Sequence, residues 1–72
     1  MKVKIWWRSK TSLFDEQEKQ FKDITSLAHW VHKNHKNIIG INGKLTPAPW
    51  LFEEKIDIFD VIRVCETCLV SQ

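Results

Sequence analysis

Seventy-two residues limit this chain to one domain, near the lower end of what folds unaided. A composition that is 43% hydrophobic, with four Trp, four Phe and only two Gly and two Pro, excludes a disordered chain. The net charge of +2 excludes both the strongly basic nucleic-acid binder and the strongly acidic mimic of DNA.

That balance conceals an asymmetry: residues 1–36 carry eight Lys/Arg against four Asp/Glu, and residues 37–72 carry three against five. No stretch approaches ~18 consecutive apolar residues, so no membrane span is expected. The start, MKVKIWWRSK, is charged at positions 2, 4 and 8 and lacks the apolar core of a signal peptide. A cytoplasmic location follows, where the C-x2-C pair Cys65/Cys68 reads as metal-binding or redox before it reads as a disulfide. A core this small leaves only ~3–5 kcal/mol of net stability, which is a motive for a staple.

In chain order, Lys2 to Arg8 alternates as a half-buried strand, with Val3, Ile5 and Trp7 on one face and Lys2, Lys4, Trp6 and Arg8 on the other. Residues 9–22 are polar, with Leu13, Phe14 and Phe21 as anchors. They read either as a loop entering a second strand or as a short helix capped by Ser12. Ile24, Leu27, Ala28, Val31 and His35 recur at helical spacing, behind Thr25 or Ser26 as N-cap, and the helix should end near Asn34–Asn37. Asn42-Gly43 between short apolar runs predicts a hairpin with a type I′ turn. Pro47 and Pro49 stiffen the loop that follows, which carries Trp50. KIDIFDVIRV is dense in β-branched residues and reads as a last, central strand interrupted at Asp60. The rival is a helix with Phe52, Ile56, Phe59 and Ile62 or Arg63 along one side. The expected fold class is therefore α+β: one main helix on a small, mainly antiparallel sheet, as a single domain over residues 1–72.

The Cys and His residues carry the strongest chemical signal. His29, His32 and His35 lie three apart on the helix, and Cys65-Glu66-Thr67-Cys68 closes the chain's last element. H-x2-H followed by C-x2-C supplies four ligands suited to zinc. On the helical wheel His35 falls within the core-facing stripe, His32 borders it and His29 lies on the polar side, so His32, His35, Cys65 and Cys68 are the expected ligands, with His29 as substitute. With all four positions filled by protein, such a zinc would be structural. The competing reading leaves the cysteines unligated and the histidines solvated. A redox role fits less well, because thiol-exchange motifs sit at helix N-termini.

The search for catalysis finds no Gly-rich phosphate loop, no H-E-x-x-H and no nucleophile elbow, so no enzyme activity is expected. Lys2, Lys4, Trp6 and Arg8 set cations beside a ring that stacks on bases, the recipe for single-strand binding, and the same face suits a protein contact. Trp50, in its rigid loop, joins that partner-binding set, while Trp7 and Trp30 read as core or core margin. Trp6 covered by residues 9–22 is the plainer alternative. A monomer is favoured, with a small dimer burying the edge strand as the variant.

With MKVKIWWRS, the H-x2-H helix and the CETC end, the chain resembles in size and character the phage-encoded inhibitors of bacterial defence, among them the small anti-CRISPR proteins. That resemblance carries over no functional residue. It implies a cytosolic, non-enzymatic inhibitor that acts by direct contact with a larger protein, such as a CRISPR effector nuclease. The balanced charge points to blocking of a nucleic-acid-loading surface rather than mimicry of DNA. A small zinc-ribbon-like nucleic-acid-binding protein, using the basic–aromatic strand face, is the alternative from another class.

Overall fold

A computed structural model describes residues 1–70. Lys2–Arg8 (β1) and Phe14–Gln20 (β2) are followed by a helix at Ile24–Asn34 (α1). Strands Ile38–Ile41 (β3) and Lys44–Leu45 (β4) come next, and then a second helix at Ile58–Val70 (α2). Short 3-10 turns occupy His35–Asn37 and Ala48–Leu51. The sheet order is β2-β1-β3-β4 and every pairing is antiparallel, so the α+β class stands.

β1 is central, and its alternation divides the molecule. Val3 and Ile5 are fully buried on one face, together with Ile38 and Ile41 of β3, beneath Leu27, Ala28 and Val31 of α1 and Val61, Cys65 and Cys68 of α2. Burying each such aliphatic side chain is worth roughly 1.5–3 kcal/mol. Trp7 meets Trp30 of α1 edge-on at 5.2 Å and packs at the margin of this core, as expected of both rings.

Residues 9–22 resolve as the strand alternative. The Ser9 hydroxyl accepts from the amides of Thr11 and Ser12, closing the turn, and β2 then pairs with β1 over seven residues from Lys2↔Gln20 to Arg8↔Phe14. The N-cap of α1 is neither Thr25 nor Ser26 but Asp23, two residues before Thr25. Asp23, in extended backbone, accepts from the Ser26 amide at 2.8 Å, a carboxylate cap that also favours the positive end of the helix dipole. The helix gives way to the 3-10 turn at His35, within the expected range. Asn42 and Gly43 both have positive φ (55° and 85°), the backbone that a type I′ turn requires.

Three expectations are corrected. The last element is a helix and not a central strand: Asp57 caps the Phe59 amide, and Val61, Cys65 and Cys68 form the buried stripe at helical spacing. The buried face is also not Phe52–Ile56–Phe59–Ile62, because Phe59 stays 71% exposed. Trp50 is not a surface contact either. Pro47 and Pro49 bend the chain into the 3-10 turn Ala48–Leu51, which drives the indole into the core at 6% exposure. Trp50→Ala removes an aromatic from that core at a cost of ~3–5 kcal/mol, comparable with the whole stability of so small a domain. Circular dichroism should therefore find Trp50→Ala largely unfolded, whereas Trp6→Ala should keep the wild-type spectrum.

Candidate functional site

The face of the sheet away from the helices is built from the even-numbered residues of β1 and their partners on β2. Lys2 pairs with Gln20, Lys4 with Glu18, Trp6 with Glu16 and Arg8 with Phe14. Lys2, Lys4 and Arg8 are exposed and Trp6 is half-buried. The structure thus brings together four of the five expected contact residues and removes only Trp50.

Trp6 is held on three sides. Its ring stacks on Phe14 with centroids 4.3 Å apart and planes 25° from parallel. Its Nε1 donates to Glu16 Oε1 at 3.0 Å. On the β3 side it lies flat over Gly40, where an added Cβ would sit 2.5 Å from Trp6 Cε3. Gly40 is in ordinary extended backbone, so it serves close approach here and not an unusual φ. A register shift between Trp6 and Trp7 on the β3 side marks a bulge, with Trp6 opposite Gly40 and Trp7 opposite Ile38. Arg8 Nη2 reaches Leu51 O at 3.4 Å, linking this face to the 3-10 turn that precedes the exposed Phe52. Leu13, 88% exposed, stands beside Phe14 at the same end of β2. Phe14, expected only as an apolar anchor of residues 9–22, and Glu16 are the members of this face without an expected contact role; the hydrophobic Phe14 in a polar run was the signal available.

The Cys/His residues follow the wheel in burial but do not converge. His29 is exposed, His32 intermediate and His35 buried. His32 Nε2 lies 2.7 Å from Ile56 O. Both ring nitrogens of His35 face carbonyls, Nδ1 at 2.9 Å from His32 O and Nε2 at 2.7 Å from Glu53 O. A carbonyl only accepts and a neutral imidazole donates from one nitrogen, so each ring gives its proton to a carbonyl, and the second His35 nitrogen also faces a carbonyl oxygen and not a thiolate. Cys65 and Cys68 sit within α2, and the carbonyl of Cys68 accepts from Asn42 Nδ2 at the β3–β4 hairpin, whereas His35 joins the Glu53 end of the preceding segment. Among the described residues no group of three or more His, Cys, Asp or Glu side chains is placed to hold a metal ion. The four expected ligands therefore do not fit zinc.

The thiols are not poised for nucleophilic or redox chemistry. Burial pushes Cys65 up to about 12, with the neighbouring Cys68 and Glu66 adding to the shift. Burial also raises Cys68, partly opposed by Lys44. Cys68 borders an apolar groove of about 330 Å³ between β4 and α2, walled by Leu45, Pro47 and Val64. No helix among the described residues is long and apolar enough to cross a membrane. No family model, curated protein or solved structure matches the chain.

Two outcomes follow. Metal analysis after purification without added metal or a polyhistidine tag should give well below one zinc per chain; a full equivalent lost in His35→Ala would overturn this geometry. A thiol whose folded pKa is raised contributes stability that is fully present below its usual value of 9.0 and is lost as pH rises toward about 12. Urea midpoints should accordingly decline above pH 9 more steeply in the wild type than in Cys65→Val, which keeps an apolar side chain of similar size but has no proton to lose.

Proposed function

We propose that this protein is a small, non-enzymatic binding module that acts by direct contact through the outer face of β1 and β2. The observation that carries the reading is Trp6, packed between Phe14 and Gly40 on a sheet face that, among the described residues, lies away from the helix-covered core. Trp and Arg are the side chains most enriched among binding hot spots, and Arg8 lies one step along the same face. A ring already fixed by its neighbours loses little rotational freedom on binding, so more of its burial appears as affinity. The protonated thiols and carbonyl-bound histidines favour a non-catalytic role.

The charge pattern favours a protein partner over nucleic acid. A phosphate backbone tracking Lys2, Lys4 and Arg8 would run beside Glu16 and Glu18, whose Cβ atoms stand ~4.5–5.5 Å from those of their β1 partners. Those carboxylates cancel much of the attraction that single-strand binding depends on. The resemblance in size and character to phage-encoded inhibitors makes a bacterial CRISPR-type defence nuclease the partner to test first, blocked at the surface that loads nucleic acid.

With purified effector nucleases, co-elution from a sizing column is expected. Trp6→Ala should weaken binding by about thirtyfold or more, corresponding to ~2 kcal/mol for a hot-spot residue. Gly40→Ala, which displaces the Trp6 ring without touching its chemistry, should produce a loss of the same kind. Oligonucleotide titration should leave Trp fluorescence unchanged. Quenching that disappears steeply with added salt would instead favour the nucleic-acid-binding reading.

A further inference from the structure

The hydrogen-bond parity of β1 and β2 shows which backbone groups the sheet leaves open. Phe21 N donates to Met1 O at 2.8 Å and the Met1 amine donates to Phe21 O at 2.6 Å, so this pair exchanges both bonds. In an antiparallel ladder bonded and non-bonded pairs alternate, which makes Val3↔Lys19, Ile5↔Gln17 and Trp7↔Asp15 the bonded ones. Asn42 N donating to Lys4 O agrees, since it turns the even residues of β1 toward β3. The even residues of β2 then point their N–H and C=O groups away from β1, and among the described residues no strand lies beyond β2. Ser12 Oγ already donates to Phe14 O, so the open stretch is Glu16, Glu18 and Gln20.

The side chains decide what that edge accepts. β2 carries Asp15, Glu16 and Glu18 against Lys19 alone. A second copy pairing antiparallel through the even residues sets Glu16 against Glu18 when the twofold axis passes Gln17. It sets Glu16 or Glu18 against itself when the axis shifts by one residue. Like charges directly opposite destabilise a strand pair, so each of these registers is penalised. Charge on an edge strand commonly protects it from self-association. The carboxylates that repel a copy of the same chain attract a strand of opposite sign.

We infer that the β2 edge is a docking site for an extended segment of a partner protein that carries Lys or Arg at alternate positions and adds to the sheet as a fifth strand. The inference rests on the reading that β1 and β2 form a contact surface, and it specifies the chemistry of what is contacted. The partner's backbone bonds to Glu16, Glu18 and Gln20, and its basic side chains lie over Glu16 and Glu18 on the same face as Trp6. Seven residues of β2 at ~3.4 Å each offer room for a segment of similar length.

The test is amide hydrogen exchange of the whole chain, resolved by residue. In the free protein the Glu16 and Glu18 amides should exchange rapidly, while Asp15, Gln17 and Lys19 are protected. An acetylated, amidated peptide matched to the seven residues of β2, Lys-Thr-Lys-Val-Lys-Thr-Lys, should slow exchange at Glu16 and Glu18 by about tenfold or more. The same peptide N-methylated at alternate residues keeps its charge, loses the protons that face β2 and should give no protection. The double variant Glu16→Gln/Glu18→Gln should weaken the unmodified peptide by about tenfold. Equal binding of the methylated peptide, no protection by either peptide, or amides already protected in a chain of dimeric mass would each overturn the inference. The exchange map requires no effector and co-elution through Trp6 requires no peptide, so failure of one is read separately from failure of the other.

Discussion

The period-two alternation of β1 sets what both faces of the sheet become. Its odd residues carry the apolar load, and with Val3 and Ile5 fully buried they anchor the core that α1 and α2 cover. Its even residues are then committed to the opposite side, where three cations flank one indole. A slip of one residue would exchange these sets, placing Lys4 in the core and Ile5 in solvent, so the register is strongly enforced. Because β1 is hydrogen-bonded on both sides, that enforcement reaches β2 and β3 directly. Gly40 is where the two faces meet, since its missing side chain lets the Trp6 ring lie against the sheet.

The segment between the second hairpin and α2 is fastened by hydrogen bonds from two of the residues that the sequence offers as metal ligands. His35, buried at the end of α1, bridges the carbonyls of His32 and Glu53. His32 bonds the carbonyl of Ile56, and Lys36 pairs with Glu54. The exposed Lys36–Glu54 pair adds little to stability; its carboxyl is lowered by the Lys36 hydrogen bond, but water screens such pairs. The two histidines matter more, because their bonds to the Ile56 and Glu53 carbonyls are partly withdrawn from water, where losing a donor costs more than at the surface. Thr46 serves the same end in the β3–β4 hairpin, its hydroxyl lying within reach of the Ile38 and Ile39 carbonyls. Among the described residues every buried side-chain nitrogen and oxygen has a partner.

The helical wheel placed His35 inside, His32 at the margin and His29 outside, which is their observed order of burial. What it did not reveal was the partner, because H-x2-H has the same spacing whether the rings meet thiolates or carbonyls. The α1 core stripe, the type I′ turn and the two faces of β1 were legible because each rests on local periodicity or on backbone that few residues adopt. α2 was not. Its β-branched residues favour a strand locally, and the stripe that decides the matter, Val61, Cys65 and Cys68, runs past the Ile-rich stretch into the residues read as ligands. Trp50 failed for a related reason: two prolines signal a rigid loop but not the direction in which its indole points.

The coincidence of face and edge on β2 follows from strand geometry. Side chains alternate between faces with period two, and in an antiparallel strand the peptide groups alternate between edges with the same period. The parity that sends Glu16 and Glu18 to the face of Trp6 therefore also turns their backbone toward the open edge. A strand laid along that edge places half of its side chains over the exposed layer without further adjustment. Backbone pairing along β2 supplies a sequence-independent part of such a contact, and the carboxylates beside a fixed aromatic pair supply discrimination. An added strand would also lengthen the layer on which Phe14 and Trp6 are stacked, so edge and face would act as one surface.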